Sequence, residues 1–254
     1  MRNSLWALAG VAWLAGPAAA QTADDIIAKY VQAVGGLDKI HAVQTLRRTG
    51  KYLGGGGFEA AVTQENKRTN QVREEFLLQD LVGINAYDGK VGWKVEPWDG
   101  KKDAEALGEE ELKSVLEDAD FDGPLIDYKK KGYQVELAGS DEIEGTDVFR
   151  LQVTYPNGTV QDYSIDKDTY VPIKIDTRRM VRGAERAYET TVGDYKQVAG
   201  WFLPFSIETN VKGSSDKTQV VYDKIEANVP LDDARFHRPP APGSGSGKPE
   251  GRKP

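Results

Sequence analysis

The sequence predicts a mainly β domain with short helices, in the α+β class, built on an antiparallel sheet. From Thr45 onwards, most segments alternate apolar and polar residues with the period of two that is typical of strands. Short turns separate these segments, and Asp88-Gly89 and Asn157-Gly158 are the strongest of them, so consecutive strands are expected to form a meander. A strongly wound meander becomes a barrel or part of one, and two helical segments are available to cover an open side.

The first helical segment precedes the strands. Residues 22–35 place apolar side chains on one face at helical spacing, with Thr22 as the expected N-cap and Gly35-Gly36 as the stop. A second short helical piece is expected from Leu37 to Val43.

The second helical segment interrupts the strands at residues 99–131. It is expected to contain a polar loop at 99–103 and an amphipathic helix at 109–119 that begins with acidic residues. A turn or short helix follows Pro124.

The expected strands lie on both sides of this interruption. They are Thr45–Leu53, Phe58–Glu65, Gln71–Leu78, Val82–Tyr87, Val91–Glu96, Tyr133–Ala138, Val148–Tyr155, Thr159–Ile165, Val171–Thr177, Ala187–Tyr195, Phe205–Val211 and Gln219–Ala227.

Residues 1–20 predict a cleavable export signal. Arg2 supplies a positive charge, residues 5–16 are almost wholly apolar, and Ala18-Ala19-Ala20 supplies the small residues that a signal peptidase recognises. The rival interpretation is a membrane anchor, but a spanning helix needs about 20 apolar residues and this run is shorter. We therefore expect a signal peptide at 1–20, one domain at 21–239 and a disordered tail rich in Pro, Gly, Ser and Lys at 240–254.

Composition excludes several classes of protein. The chain contains no cysteine, which excludes disulfides and the lipid-modified cysteine of bacterial lipoproteins. The formal net charge of −7 argues against a nucleic-acid partner, because phosphate binding needs a basic face. The expected product is a monomer that is soluble in the bacterial periplasm.

Residue patterns that carry catalysis or bind metals are absent from the sequence. His41 and His237 are the only histidines, and no serine lies in a nucleophile motif, so we assign no catalytic residue. Asp118, Asp120 and Asp122 resemble calcium ligands in type, but the glutamate that completes a calcium loop is missing. We therefore prefer a solvated acidic helix end, and expect no metal and no cofactor.

Five segments share their order and spacing with one known group of proteins. They are Ala33–Ile40, the basic region around Lys67-Arg68 and Val72-Arg73, the hairpin Asn85–Trp93, the segment Gly200–Pro204, and the closing strand and turn Ile225–Phe236. The third contains D-G-K-x-x-W, and the last contains N-x-x-L-x-x-x-x-F. In these features the sequence resembles the LolA/LolB-like outer-membrane lipoprotein-sorting superfamily, in a distant LolA-like branch.

The resemblance implies a strongly curved, unclosed antiparallel barrel with helices covering its concave face, where acyl chains would bind. Each buried methylene is worth ~0.8 kcal/mol, so an acyl chain in water needs a dry host. The resemblance also makes Arg68 the candidate for contact with the lid. Candidates for lining the cavity are Trp93, which is expected near the concave side, and Tyr87, Leu112, Leu116, Phe121, Leu151, Val153 and Tyr163.

From the residues alone, the aromatic side chains are explained either by ordinary sheet packing or by an apolar cavity. With the resemblance, the leading hypothesis is a periplasmic carrier, without catalysis, that shields acyl chains during outer-membrane lipoprotein sorting. Its partners would be the acyl chains of lipoproteins or other lipids, and inner- and outer-membrane sorting components. The competing hypothesis is an envelope sensor or regulatory domain of the same fold that binds a protein partner. A third hypothesis is an envelope hydrolase.

Overall fold

The computed structural model describes residues 21–181, 183–215 and 217–240. The expected signal peptide and nearly all of the expected tail lie outside these residues. Of the described helices, none combines the length and the apolar character that crossing a membrane requires.

Two helices open the described chain, α1 at Ala23–Ala33 and α2 at Leu37–Ala42. As predicted, Thr22 caps α1. Its hydroxyl accepts a hydrogen bond from the Asp25 amide at 3.2 Å, and the Asp25 carboxylate accepts one from the Thr22 amide at 3.0 Å. Gly35 then takes a φ of 124°, which few other residues adopt, and this ends the helix.

Two further helices come from the interruption in the strand pattern. The predicted helix at 109–119 is confirmed as α3, Glu109–Ala119, and a single turn forms α4 at Tyr128–Lys131. Short 3₁₀ turns lie at Pro97–Asp99 and Asp233–Arg235.

The described residues contain fifteen strands, most of them close to the predicted ranges. They are β1 Thr45–Leu53, β2 Glu59–Lys67, β3 Gln71–Leu78, β4 Leu81–Tyr87, β5 Gly92–Glu96, β6 Lys101–Ala106, β7 Gln134–Ile143, β8 Thr146–Thr154, β9 Val160–Asp166, β10 Pro172–Val181, β11 Ala184–Gly193, β12 Lys196–Val198, β13 Trp201–Leu203, β14 Ser206–Val211 and β15 Lys217–Ala227.

Thirteen of these strands form one antiparallel sheet, and β12 pairs only with β13. The order in the large sheet is β6-β5-β4-β3-β2-β1-β15-β14-β11-β10-β9-β8-β7. Because β6 and β7 are its two edges, the sheet does not close, and the predicted unclosed antiparallel architecture is confirmed.

The sheet curves strongly around the helices. Val62 on β2 and Leu151 on β8 belong to one buried core together with Ile26 of α1. These two strands are seven positions apart, which would separate them by about 34 Å in a flat sheet. We call the face that packs against the helices the inner face and the opposite face the outer face. The helices thus cover the concave side, as predicted.

The two predicted hairpin turns are confirmed. The Asp88 carboxylate accepts hydrogen bonds from the amides of Lys90 at 2.9 Å and Val91 at 2.7 Å, between β4 and β5. The side-chain oxygen of Asn157 accepts one from the Thr159 amide at 2.9 Å, between β8 and β9. Side chains of Asp and Asn that bond to the following backbone are what make these residues turn formers.

The predicted polar loop at 99–103 is wrong in part, because β6 begins at Lys101. The sequence KKDAEA has no apolar alternation, so it gives no strand signal. Its backbone pairs with β5, and Trp93 lies opposite Ala106. An edge strand of this kind is held by the ladder of hydrogen bonds, and its charged side chains protect the edge from further pairing.

The chain after β15 crosses the outer face. Trp93 and Phe236 are both fully buried there, and the indole Nε1 of Trp93 donates to the Phe236 carbonyl at 2.8 Å. The Arg235 guanidinium donates to the buried Glu65 at 2.7 Å, and Arg73 donates to the Arg235 carbonyl at 3.1 Å. This C-terminal strap therefore covers the outer face of β2 to β5.

Candidate functional site

A cleft of about 820 Å³ lies between α3 and the inner face of β10, β11 and β14. Its sheet wall includes Thr177, Arg179, Tyr188, Thr190 and Thr209, and its helix wall is the N-terminal half of α3. Pockets for small molecules typically have volumes of about 300–1,000 Å³, so the cleft is large enough for a ligand.

Helix α3 forms a lid that polar contacts tie to both sides of the curved sheet. Lys94 on β5 forms an ion pair with Glu111 at 2.6 Å. On the other side, Arg179 on β10 donates to the Ser114 hydroxyl at 2.7 Å and to the Glu117 carboxylate at 3.1 Å. The helix therefore bridges the two halves of the sheet over the concave space.

Only a small apolar patch holds the lid from below. Val115 and Ala119 of α3 pack on Val72, with Tyr87 and Leu107 at the periphery. This cluster is separate from the main core under α1 and α2. A lid held by little apolar contact and mainly by polar ties is the kind of element that opens at lower cost in free energy than the main core.

A row of apolar residues lies next to the cleft on the inner face, two positions along β11 and β14 from the cleft residues Thr190 and Thr209. Val192, Ile207, Val220 and Tyr52 lie opposite one another in a row that crosses β11, β14, β15 and β1. Directly opposed residues of an antiparallel sheet share a face, so this row is one surface. The row continues to Ala60 on β2, the partner of Tyr52.

Aromatic rings stand at the end of this row. Tyr52 meets Phe58 and Phe76 edge to face, with ring centroids 5.9 Å and 5.6 Å apart. Trp98 lies over Gly83, where a β-carbon would meet the indole at 1.9 Å. Phe58 and Trp98 keep over two fifths of their surface exposed. We call the apolar row and these rings the apolar floor. Its end near the hairpin tips is open to solvent.

The deeper part of the inner face is polar. Arg48, Gln64 and Glu74 lie opposite one another on β1, β2 and β3. Arg48 donates to the amide oxygens of Gln64 at 3.0 Å and Asn66 at 2.5 Å. Burial raises the pKa of Glu74 to about 8, with a further contribution from the charge of Asp118. The inner face thus has the apolar floor beside a charged region that contains Arg48 and Glu74.

Comparison with solved structures shows which fold this is. A LolA superfamily protein from Nitrosomonas europaea superposes with a TM-score of 0.58 at 14% identity, over 86% of this chain and 98% of that chain. A putative outer membrane lipoprotein-sorting protein domain from Vibrio parahaemolyticus gives 0.56 at 13% identity, over 84% of this chain and 94% of that chain. A DUF1329 family protein from Desulfovibrio piger gives 0.55 at 14% identity, over 84% and 96%.

The chain has a LolA-like fold. A sequence family described as "Uncharacterized protein" matches residues 117–239. Comparison with curated protein sequences finds no match. The predicted resemblance to a distant LolA-like branch is therefore confirmed at the level of the fold.

Four of the predicted cavity residues lie in the main core of this LolA-like fold. Phe121, Leu151, Val153 and Tyr163 are buried in one cluster with α1 and α2. The Tyr163 hydroxyl donates to Gln161 at 2.8 Å. They line the covered end of the concave side, where the helices already fill the space.

Three other predicted cavity residues are associated with the lid. Leu112 lies over Gly92, where a β-carbon would meet its side chain at 2.7 Å, and Tyr87 borders the lid patch. Leu116 is 39% exposed. Only residues three or four apart share a face of a helix, so Leu116 points to a different side of α3 from Ser114 and Asp118. Leu112 and Tyr87 thus lie between lid and sheet, and Leu116 faces solvent.

The expected location of Trp93 on the concave side is wrong. Its neighbour Gly92 faces α3, and side chains alternate along a strand, so Trp93 points to the outer face. There the C-terminal strap buries it.

Arg68, the predicted lid contact, joins three segments on the inner side. Its guanidinium donates to the carbonyls of Val43 at 2.8 Å and Ile40 at 2.6 Å, at the end of α2. It also pairs with Asp122 at 2.7 Å and lies 4.8 Å from the centroid of the Phe121 ring. Arg68 thus ties α2 to the segment that follows α3. Its predicted contact with a moving lid stays a prediction.

The acidic residues at 118, 120 and 122 do not form a shared cluster. Asp120 pairs with Lys131, and Asp122 pairs with Arg68. Asp118 lies over the sheet, because Asn66 donates to its backbone carbonyl at 2.9 Å. Within the described part of the chain, no group of three His, Cys, Asp or Glu side chains is placed to hold a metal ion.

Sequence reasoning missed the polar residues Arg48, Glu74, Arg179 and Thr190 of the inner face. They stand at positions where a strand with one dry face should carry apolar residues. These polar residues interrupt the apolar alternation of their strands, and this interruption is the sequence signal by which they could have been identified.

Proposed function

We propose that the protein is a carrier of lipids or lipid-modified proteins, which shelters acyl chains on the apolar floor beneath α3. The observation that carries the proposal is the row of apolar residues from Val192 to Tyr52, which lies on the same face as an open cleft of about 820 Å³ and next to its wall residues Thr190 and Thr209. Transfer of a chain from water to such a surface is worth ~0.8 kcal/mol per methylene. The structural neighbours named for lipoprotein sorting support the proposal.

The lid gives such a carrier a way to load and release. α3 rests on a few apolar contacts and on polar ties to β5 and β10. Exchange of those ties for water allows the helix to lift without breaking the main core. We propose no catalytic step.

The same proposal includes the compartment. Residues 1–20 would direct export and be removed before Gln21, so that the carrier works in the bacterial periplasm between the two membranes. N-terminal sequencing of protein from the periplasmic fraction should begin at Gln21. A chain that keeps Met1 and sediments with the membranes would contradict the export step.

Blocking the cleft tests the binding site. Replacing Thr190 by tryptophan should raise the Kd for a neutral probe such as N-phenyl-1-naphthylamine by about tenfold or more, because the ring fills the cleft wall. Fluorescence titration measures the Kd, and native mass spectrometry of protein from its host shows any bound acyl species.

The matched control is Thr191→Trp. Thr191 is the next residue on β11, and it is exposed on the outer face. This variant should bind like the parent protein. Equal binding by both variants would remove the cleft as the site, and absence of binding by the parent protein would contradict the carrier itself.

A further inference from the structure

Hydroxyl groups line the sheet wall of the cleft. Thr190 on β11 lies opposite Thr209 on β14, and both line the cleft and keep part of their surface exposed. Two residues closer to the hairpin tip, Tyr188 and Thr177 form the next opposed pair and line the cleft as well. All four residues belong to the inner face, because every second residue of a strand and its direct partner point to the same side. The wall therefore carries hydroxyls where the dry face of a sheet should carry apolar side chains.

Hydrogen bonds within the protein orient several of these hydroxyls. The side-chain oxygens of Thr190 and Thr209 lie 3.0 Å apart, so one donates to the other and the pair still has one hydroxyl hydrogen and several lone pairs. On the helix wall, the Ser114 hydroxyl accepts from Arg179 at 2.7 Å and keeps its own hydrogen to donate. The cleft thus offers hydrogen-bond donors and acceptors side by side, at positions that are set before a ligand binds.

The charged side chains around the cleft are engaged with one another. The ion pairs are Arg179 with Glu117 at 3.1 Å, Lys113 with Glu109 at 3.3 Å and Lys94 with Glu111 at 2.6 Å. Glu110, which also lines the cleft, has a partner of its own. A charged head group would have to displace a member of one of these pairs or remain uncompensated in a partly dry cleft, and either costs free energy. A neutral head group avoids both costs.

The size and position of the cleft indicate a bulky head group. Its volume of about 820 Å³ lies towards the upper end of the range for small-molecule pockets, far above what a single hydroxyl or carboxyl group needs. Val192 and Ile207, which begin the apolar floor, are two residues from Thr190 and Thr209 on the same face, a distance of about 7 Å along the strands. A chain on the apolar floor can therefore place its head group directly against the hydroxyl wall.

We infer that the cleft holds the neutral sugar head group of a glycolipid, whose chain lies on the apolar floor. This inference rests on the proposed function, and it names the class of ligand. Sugar hydroxyls donate and accept hydrogen bonds, as the threonine and serine hydroxyls of the cleft do. A head group without hydroxyls would expel water from the wall and leave Thr190 and Thr209 without partners for their remaining hydrogen-bonding capacity, which disfavours its binding.

The test compares four ligands with the same chain: decyl β-glucoside, tetraethylene glycol decyl ether, decanoate and decyltrimethylammonium. Each displaces N-phenyl-1-naphthylamine from the full protein, below the concentration at which the ligand forms micelles. The glucoside should bind about tenfold tighter than the glycol ether, which is neutral and bulky but carries a single hydroxyl. Both charged ligands should bind more weakly than the glucoside, because they meet the ion pairs of the cleft.

Variants locate the effect. The double variant Thr190→Val and Thr209→Val removes both partners of one hydrogen bond and keeps the shape of the side chains, so the fold should tolerate it. It should bind the glycol ether as the parent does, while its preference for the glucoside falls about tenfold. The control Thr191→Val changes an exposed threonine on the outer face of the same strand and should keep the parent's preference.

The outcomes separate the two proposals. Equal binding of the glucoside and the glycol ether, or tightest binding of a charged ligand, overturns the sugar site and leaves the carrier function standing. The same holds if the double variant keeps the parent's preference for the glucoside. The ligand series on the parent protein is decisive without any variant. Failure of all four ligands and of the neutral probe to bind contradicts the carrier function, and the inference falls with it.

Discussion

Replacing Trp93 by alanine should lower the free energy of unfolding by about 3–5 kcal/mol. The indole is fully buried on the outer face and donates a hydrogen bond of 2.8 Å to the Phe236 carbonyl. The Arg73 guanidinium also lies 5.4 Å from the centroid of the ring. The variant loses the packing, leaves a cavity and releases the C-terminal strap. Urea denaturation followed by far-UV circular dichroism measures the loss.

Trp98→Ala is the matched control. Trp98 is 45% exposed, and truncating it should cost about 1 kcal/mol. Because Trp93 is on the outer face, Trp93→Ala protein that remains folded should bind the neutral probe with the parent's Kd. A similar loss of stability in both variants would contradict the burial of Trp93 beneath the strap.

Replacing Gly50 by alanine should cost about 3 kcal/mol, because the added methyl group has no space. Gly50 stands at a bulge in the pairing of β1 with β15, and a β-carbon there would lie 2.0 Å from the carbonyl oxygen of Val221. The obstructing atom belongs to the backbone of the neighbouring strand, so relief requires the two strands to separate. Thermal and urea unfolding both measure this cost.

Gly193→Ala provides the comparison at another strand glycine. No heavy atom lies within 4 Å of a β-carbon built there. The substitution should leave stability within about 0.5 kcal/mol of the parent, or raise it slightly by restricting the unfolded chain. If Gly50→Ala were as stable as Gly193→Ala, the close approach of β1 and β15 at the bulge would be refuted.

Local signals were sufficient for the helices, the turns and most strands. Thr22 and Asp25 form a cap from four consecutive residues, and Asp88 and Asn157 hold their turns through the residues that follow them. These contacts are short in sequence, so their chemistry is visible in the sequence. β6 lacked such a signal, since only its pairing with β5 makes it a strand.

The face on which Trp93 lies depends on contacts distant in sequence. Alternation shows that Gly92 and Trp93 point in opposite directions, but it does not show which face the helices cover. A large aromatic residue suggested the concave side. On the outer face, the C-terminal strap covers Trp93 and accepts its hydrogen bond at the Phe236 carbonyl, so Trp93 is equally well shielded from water there. The residues around Trp93 contain no pattern that indicates packing against a segment from the end of the domain.

The charged part of the inner face was hidden for a related reason. Arg47 and Arg48 are adjacent and chemically alike, yet Arg47 pairs with Glu65 beneath the strap and Arg48 enters the concave side. Their roles separate only when register is known. The same holds for Glu74 and Asp118, which come from a strand and a helix far apart in the chain.

The pairing of β1 with β15 has a consequence for biogenesis. Leu46 near the start of the domain pairs with Ala227 near its end, and this pair joins the two wings of the sheet. A contact between such distant residues is costly in loop entropy and slow to form. The sheet can be completed only after the ribosome and any translocation machinery have released almost the whole chain. Until then the surface proposed to hold acyl chains does not exist, and the edges of the emerging wings stay unpaired.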